Sequence, residues 1–260
     1  MKNIFIGVGR RALTLLYFLG GFGNLAVQSL YWCFVPPLKK ERIFEQAKKA
    51  GYESLPIVSL ISLFIGVIMA LQTAVMMQRL GSEMYIASIV AVSLVRELGP
   101  VITALIVAGR VGASITAELG SMQVTEQIDA LETLAAPPIK YLVVPRLISL
   151  CIMLPILTLY ANIIGIMGGW LVCVYKLGIT SGMYLQVTYD ALLYKDLFTG
   201  LLKTVFFGMI IALVSCYEGF NVEGGAEGVG RATRNAVVVT FIMIIATDCF
   251  FTALFYFIFP

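Results

Sequence analysis

The sequence predicts an all-α integral membrane protein, with five transmembrane helices preceded by an N-terminal interfacial segment and a single domain over residues 1–260. Three observations carry that reading. Hydrophobic residues make up 60% of the chain and charged residues 13%, against about 45–50% and about 25% in soluble domains. Mean hydropathy is +0.94, so too little polar surface remains to cover a water-facing body of this size and most of the exterior faces lipid. The charges also divide the chain into six apolar runs, each long enough for the roughly 20 residues that cross about 30 Å of hydrocarbon.

The first run, 12–38, differs from the rest. It carries Gly20, Gly21, Gly23, Asn24 and Gln28 and ends at Pro36–Pro37. Lys2, Arg10 and Arg11 precede it, and Lys39, Lys40, Arg42, Lys48 and Lys49 follow. A spanning helix would strand one basic cluster outside, whereas an interfacial or re-entrant segment keeps both on the cytoplasmic face. Residues 1–53 are therefore read as an N-terminal interfacial segment, with a sixth span as the alternative. The run after Arg10–Arg11 is too long for a cleaved signal and lacks a small-residue cleavage site.

The remaining runs are read as spans at 54–78, 84–109, 147–175, 197–217 and 235–260. Five spans place the N-terminus in the cytoplasm and the C-terminus outside. Thirteen Lys/Arg, including Arg110, Lys140, Arg146, Arg231 and Arg234, then fall inside, against Arg79, Lys176 and Lys195 outside. That asymmetry sets the orientation. Small residues at helix-packing spacing (Gly66 with Ala70, Ala108 with Gly112, Ala113 with Ala117, Gly165 with Gly169) predict close helix–helix contacts.

Several function classes fall away. A net charge of +3 gives no field suited to nucleic acid. The chain has no histidine, and its cysteines (Cys33, Cys151, Cys173, Cys216, Cys249) lie singly in apolar runs, so no metal site and no catalytic constellation is predicted. Gly225 and Gly230 share the G-x-x-x-x-G spacing of a phosphate loop, but Arg231–Ala232 stands where Lys–Ser/Thr is needed and no strand precedes it. Any ATP, with its Mg²⁺, belongs to another chain.

Four ionisable residues lie within the spans. Arg96 and Glu97 are the thirteenth and fourteenth of 26 residues over 84–109, and Asp248 is the fourteenth of 26 over 235–260. Lys203 lies about 10 Å from the outer edge at ~1.5 Å per residue. A charge at the bilayer centre costs at least about 2.5–3.5 kcal/mol, so the four must pair or face a wet cavity. Their charges cancel. They form either a closed network that fixes packing or a cavity lining that touches a polar substrate. Neighbours Arg96 and Glu97 point about 100° apart and cannot serve one partner. On the first span, Leu71, Val75, Met76 and Leu80 suit lipid contact or the wall of an acyl-chain cavity equally.

Between the second and third spans, 114–138 reads as a helix from about Met122 to the stop at Pro137–Pro138. Ile128, Leu131 and Leu134 form one stripe, and Glu126, Asp129 and Glu132 form an acidic ridge. With Glu118, this stretch carries four acids and no base. It is either a solvated face or a short helix docked in a basic cytoplasmic partner.

The block VRELGPVITALIVAGRVGASITAELGSMQVTEQIDAL, Val95 to Leu131, closely resembles the signature of MlaE-family permeases, the membrane subunits of ABC-type lipid-transport systems. The similarity extends through FIGVIMALQ (64–72), Pro145–Arg146, Lys203 in GLLKTVFF, GVGRAT (228–233) and TDCFFTAL (247–254). The resemblance implies a homodimer of five-span subunits. It implies two cytoplasmic MlaF-type ATPase chains, a small STAS-domain protein of the MlaB type, and a periplasmic hexamer of MCE-domain subunits of the MlaD type. It further implies that the segment around Glu118, Glu126, Gln127, Asp129 and Glu132 is the coupling helix inserted into the ATPase. A phospholipid would occupy an outward-open cavity, with Arg96 as head-group contact and Glu97, Lys203 and Asp248 in the polar cluster below it. ATP-driven movement of phospholipid between the inner membrane and a periplasmic shuttle, maintaining outer-membrane lipid asymmetry, is the function so implied. A proton-coupled secondary transporter using Glu97 or Asp248, and a non-transporting scaffold for a lipid-transfer ring, are the alternatives.

Overall fold

A computed structural model describes residues 20–37 and 39–258. Among them the chain forms helices and no strand. Helix α1 covers 20–33 of the described residues, and α2 is Lys40–Ala50. Five long helices follow: α3 (Leu55–Arg79), α4 (Glu83–Val124), α6 (Ile139–Tyr175), α8 (Tyr194–Phe220) and α9 (Gly225–Ile258). The short helices α5 (Gln127–Thr133) and α7 (Ser181–Ala191) lie in the connections. Each long helix contains a segment apolar enough to cross a membrane, as the apolar runs predict. All but α3 are also longer than their apolar runs, most of all α4, which continues from Gly109 to Val124. Backbone hydrogen bonds do not stop where lipid stops, so a charge such as Arg110 ends the apolar run without ending the helix.

Tight turns join α3 to α4 and α8 to α9. After α3, Gly81 adopts φ +63°, and the N–H groups of Gly81 and Ser82 return to the carbonyls of Gln78 and Met77. This Schellman closure satisfies the last carbonyls of the helix. Gly224 and Gly225, both at positive φ, make the equally tight turn into α9. The bundle thus has two ends: one carries α1, α2 and α5, and the other carries the Leu80–Ser82 turn and α7. At the first end, Phe22 of α1 packs edge-on against Tyr217 of α8, and Ser149 of α6 donates to the Ile43 carbonyl of α2. Residues 1–19, with Lys2, Arg10 and Arg11, and Leu38 of the predicted interfacial segment, and residues 259–260 of the last predicted span, lie outside the described residues.

The core has two parts. Leu150, Leu154 and Leu157 of α6 meet Phe207 and Ile211 of α8 and Ala104 and Leu119 of α4. A smaller cluster near the α7 end joins Ala70, Val90, Cys173 and Tyr184. Tyr184 of α7 is fully buried and donates to the Ile166 carbonyl, so what reads in sequence as a plain outer connection is a helix locked onto α4 and α6. Between α3 and α6 the backbones nearly touch: a Cβ on Gly66 would lie 1.8 Å from the Gly165 carbonyl oxygen, and one on Gly168 would lie 2.4 Å from that of Leu63. The small-residue spacing at Gly66, Ala70, Gly165 and Gly169 marks this crossing.

The acidic segment departs from its predicted form. It is not one helix from Met122: α4 ends at Val124, Glu126 takes the left-handed conformation at φ 57°, and α5 starts at Gln127. The Thr125 hydroxyl bonds back to the Ser121 carbonyl, a local alternative to continuing the helix. The break splits the expected apolar stripe, so that Ile128 is buried, Leu131 half-buried and Leu134, past the end of α5, exposed.

Gly66→Val should force α3 and α6 apart at a cost of about 1–3 kcal/mol, lowering the thermal unfolding midpoint of the purified protein by several degrees. Gly182→Ala, which meets nothing within 4 Å, should leave it unchanged. Equal midpoints for the two variants would contradict the close crossing.

Candidate functional site

Three helices converge on Lys203. Pro100 lies in α4 one turn after Arg96 and has no N–H to give the Arg96 carbonyl. Just before it, Leu94–Leu98 forms a wide π-type turn, the kind of local expansion that re-aims side chains. Gly200 of α8 sits against this turn: a Cβ there would fall 2.4 Å from the Val95 carbonyl oxygen. Without a side chain at 200, α8 approaches closely enough for Lys203, one turn on, to reach Glu97. On α9, Asp248 and Thr252 are one turn apart and present two more oxygens.

The Lys203 ammonium has three protons and three close acceptors. Its Nζ lies 2.7 Å from Glu97 Oε2, 2.9 Å from Asp248 Oδ1 and 2.7 Å from Thr252 Oγ1, with the Arg96 carbonyl at 3.5 Å. The Thr252 hydroxyl donates in turn to Glu97 Oε1 at 3.1 Å. Lys203 is 2% exposed, so its charge is fully committed inside the protein.

Arg96 stands apart from this network. Its Nε lies 3.4 Å from Asp196 Oδ1, at the start of α8, and its side chain is 52% exposed. Among the described residues no ion pair engages its Nη atoms. Lys195 lines the same pocket with Arg96, Glu97, Thr199 and Phe255. The enclosed part of that pocket measures about 20 Å³, room for one water-sized group, so a larger ligand would lie on its open side. The four predicted residues thus come together at one site but separate into a closed Glu97–Lys203–Asp248 triad and an open Arg96–Asp196 pair. Separation of the Arg96 and Glu97 side chains toward different partners follows from their adjacency on a helix.

Asp196, Thr252, Gly200 and Pro100 complete the site and are missing from the predicted set. Asp196 lies one residue outside the predicted run 197–217, yet it is two turns before Lys203 on the same face. Thr252 stands at i+4 from Asp248. Helical spacing from residues already singled out would have found both. Leu71, Val75 and Met76 on α3 and Leu80 in the turn after it are all exposed, and none lines the pocket at Arg96.

At the other end, Glu118 is held by the buried Arg146, with its Oε2 3.1 Å from the guanidinium Nη2. Glu126, Gln127, Asp129 and Glu132 are exposed around α5. Glu118 is therefore a brace between α4 and α6, while the other four form an accessible surface made acidic by Glu126, Asp129 and Glu132. Arg110 makes a second brace, to Glu53 at 3.0 Å and the Ser54 hydroxyl at 2.8 Å. No group of three or more metal-ligating side chains occurs among the described residues.

Lys203→Met should leave the Glu97 and Asp248 carboxylates without their shared countercharge and destabilise the protein, by less than the about 3–5 kcal/mol of a fully buried pair because Glu97 is 40% exposed. The triple change Lys203→Met, Glu97→Gln, Asp248→Asn should recover most of that loss in the same thermal unfolding assay. A triple variant no more stable than Lys203→Met would show that the triad does not hold the helices together.

Comparison with known proteins places the chain. Residues 43–254 match the family described as permease MlaE. The chain is 46% identical over 254 residues to a probable ABC transporter permease protein of Rickettsia conorii, covering 98% of each. It is 33% identical over 255 residues to the intermembrane phospholipid transport system permease protein MlaE of Haemophilus influenzae, covering 97% of each. It also matches the chloroplastic protein trigalactosyldiacylglycerol 1 of Arabidopsis thaliana, at 38% identity over 212 residues, 82% of this chain and 61% of that protein. The open arginine and the buried lysine triad therefore belong to a membrane permease, and the chain is a member of the MlaE permease family.

Proposed function

We propose that this chain is the permease subunit of an ATP-driven phospholipid transporter in the bacterial inner membrane, and that Arg96 contacts the lipid phosphate. One observation carries the reading: Lys203 is consumed by three protein acceptors, while among the described residues the half-exposed Arg96, which shares its pocket with Lys195, has a single ion-pair partner, engaged at Nε. Its Nη edge offers parallel donors suited to a phosphate, which arginine can bind in bidentate fashion. The name of the Haemophilus influenzae relative supports phospholipid as the substrate class.

In this reading the chain works as a homodimer with its N-terminus cytoplasmic and its C-terminus periplasmic. Hydrolysis of ATP occurs on MlaF-type ATPase chains, with an MlaB-type STAS protein beside them. An MlaD-type MCE hexamer exchanges lipid on the periplasmic side. The exposed acids of α5 dock on the ATPase, and Arg146–Glu118 links that contact rigidly to α6. ATP binding draws the two α5 segments together and squeezes the lipid cavity. The lipid is moved because its affinity differs between the open and closed states. Exposed apolar residues of α3, such as Leu71 and Val75, face acyl chains, whether of the substrate or of the surrounding bilayer.

Arg96→Ala should reduce co-purified or photocrosslinked phospholipid roughly tenfold or more, as expected for loss of a charged hydrogen bond, while dimer and ATPase contacts persist. Arg96→Lys should restore part of it. Normal lipid occupancy in Arg96→Ala would refute the head-group contact, and transport driven by a pH gradient without the ATPase would favour a secondary transporter.

Reversing Glu126 and Asp129 to Lys should release the ATPase subunit or abolish its stimulation by lipid. Wild-type pull-down together with wild-type stimulation in that double variant would exclude α5 as the coupling element.

A further inference from the structure

A second lipid-facing feature lies at the α5 end of the bundle, away from the Lys203 site. Lys39, Arg42 and Lys140 surround a cavity of about 250 Å³ floored by Ile43, Val144 and Pro145. No carboxylate is among its described lining residues. The three cations are held in place by aromatic rings rather than by acids. Lys39 Nζ lies 4.4 Å from the centroid of the Tyr141 ring, and the Arg42 guanidinium lies 3.6 Å from it. Arg42 also donates to the Tyr141 hydroxyl. Lys140 Nζ lies 5.1 Å from the Trp32 ring and 3.4 Å from the Pro36 carbonyl oxygen. Cation–π contacts position a charge without neutralising it. Among the described residues none of the three makes an ion pair, so the site is a trio of cations over an apolar floor, with Glu45 facing Arg42 only from the neighbouring cavity.

The surroundings of the cavity identify its occupant. Phe34 is 85% exposed, and Phe44 of α2 is 76% exposed. Large exposed aromatics flanked by lysines mark the level where hydrocarbon meets head groups. A basic pocket among helices at that level suits an anionic lipid head group, with phosphate against the cations and upper acyl carbons on the apolar floor.

We infer that the cavity between α2 and the start of α6 is a resident site for an anionic phospholipid of the adjoining leaflet, separate from the transported lipid. The lipid braces α2 against α6, and through Arg146–Glu118 it stiffens the frame that carries α5. The inference does not rest on lipid transport at Arg96, because neither the residues nor the helix ends are shared.

Trp32 reports on the site directly. The chain has two tryptophans, so Trp170→Phe leaves Trp32 as its only one. The full transporter complex, with other tryptophans replaced by phenylalanine, is reconstituted in phosphatidylcholine vesicles carrying phosphatidylglycerol or phosphatidylcholine brominated near the top of the acyl chain. At equal mole fraction, Trp32 should be quenched by phosphatidylglycerol with an apparent affinity at least about fivefold higher, the effect of one basic residue near an anionic head group. Lys39→Glu with Lys140→Glu should abolish that preference. Because Arg42 is bonded to Tyr141, the milder pair Lys39→Gln with Lys140→Gln serves as the second variant and should lower the preference without disturbing folding, checked by the unfolding midpoint. Equal quenching by the two lipids in the unsubstituted protein, or a preference that survives both variants, overturns the inference. Loss of the ATPase from the Lys→Glu variant with no lipid preference in the parent overturns it too and assigns the basic cluster to protein docking.

Discussion

A lysine ammonium removed from water needs three acceptors and a countercharge, and Lys203 finds both on two other helices. The wide turn before Pro100 presents Glu97, Gly200 lets α8 come within reach, and one turn of α9 supplies Asp248 and Thr252. Each of these features would be a defect by itself. The proline removes a backbone donor, the glycine weakens a helix, and each charge is costly in hydrocarbon. Together they satisfy one another. The cluster also carries one carboxylate more than Lys203 can neutralise, and the excess charge is faced by Arg96 and Lys195 across the same pocket.

Arg96 is left open because of that arrangement. Had Glu97 and Asp248 been shared between Lys203 and Arg96, the guanidinium would turn its Nη edge away from the open side. Instead Asp196 holds Arg96 at one nitrogen, which positions the guanidinium while leaving hydrogen-bond capacity toward the open side. At the opposite end, Arg146 and Arg110 are each tied to an acid on another element. Both arginines act as braces there, and the unpaired acidity is displaced outward onto α5.

Composition and charge spacing made the five long helices legible, because the lipid-crossing requirement acts on every residue of a span. The crossing of α3 and α6 was legible from Gly66, Ala70, Gly165 and Gly169, since backbone contact demands small residues at one-turn spacing. The residues of the charged site were legible as a set, but their pairing was not. Pairing depends on which helices adjoin, and nothing local in Lys203 favours Glu97 over a distant acid. Asp196 was hidden by a boundary drawn at the last charge of an apolar run. The break at Glu126 was hidden because a left-handed residue other than glycine leaves no compositional mark, and α7 was hidden because one buried Tyr184 decides its place.

The central claim is a division of labour: Lys203 holds the helices and Arg96 meets the lipid. A density map of the assembled transporter in lipid nanodiscs, resolved well enough to place side chains, tests it most directly. The account predicts a lipid phosphate within hydrogen-bond distance of the Arg96 guanidinium, with the Lys203 ammonium still on Glu97 and Asp248. A phosphate bound by Lys203, with Glu97 turned away and Arg96 closed onto Asp196, would contradict it.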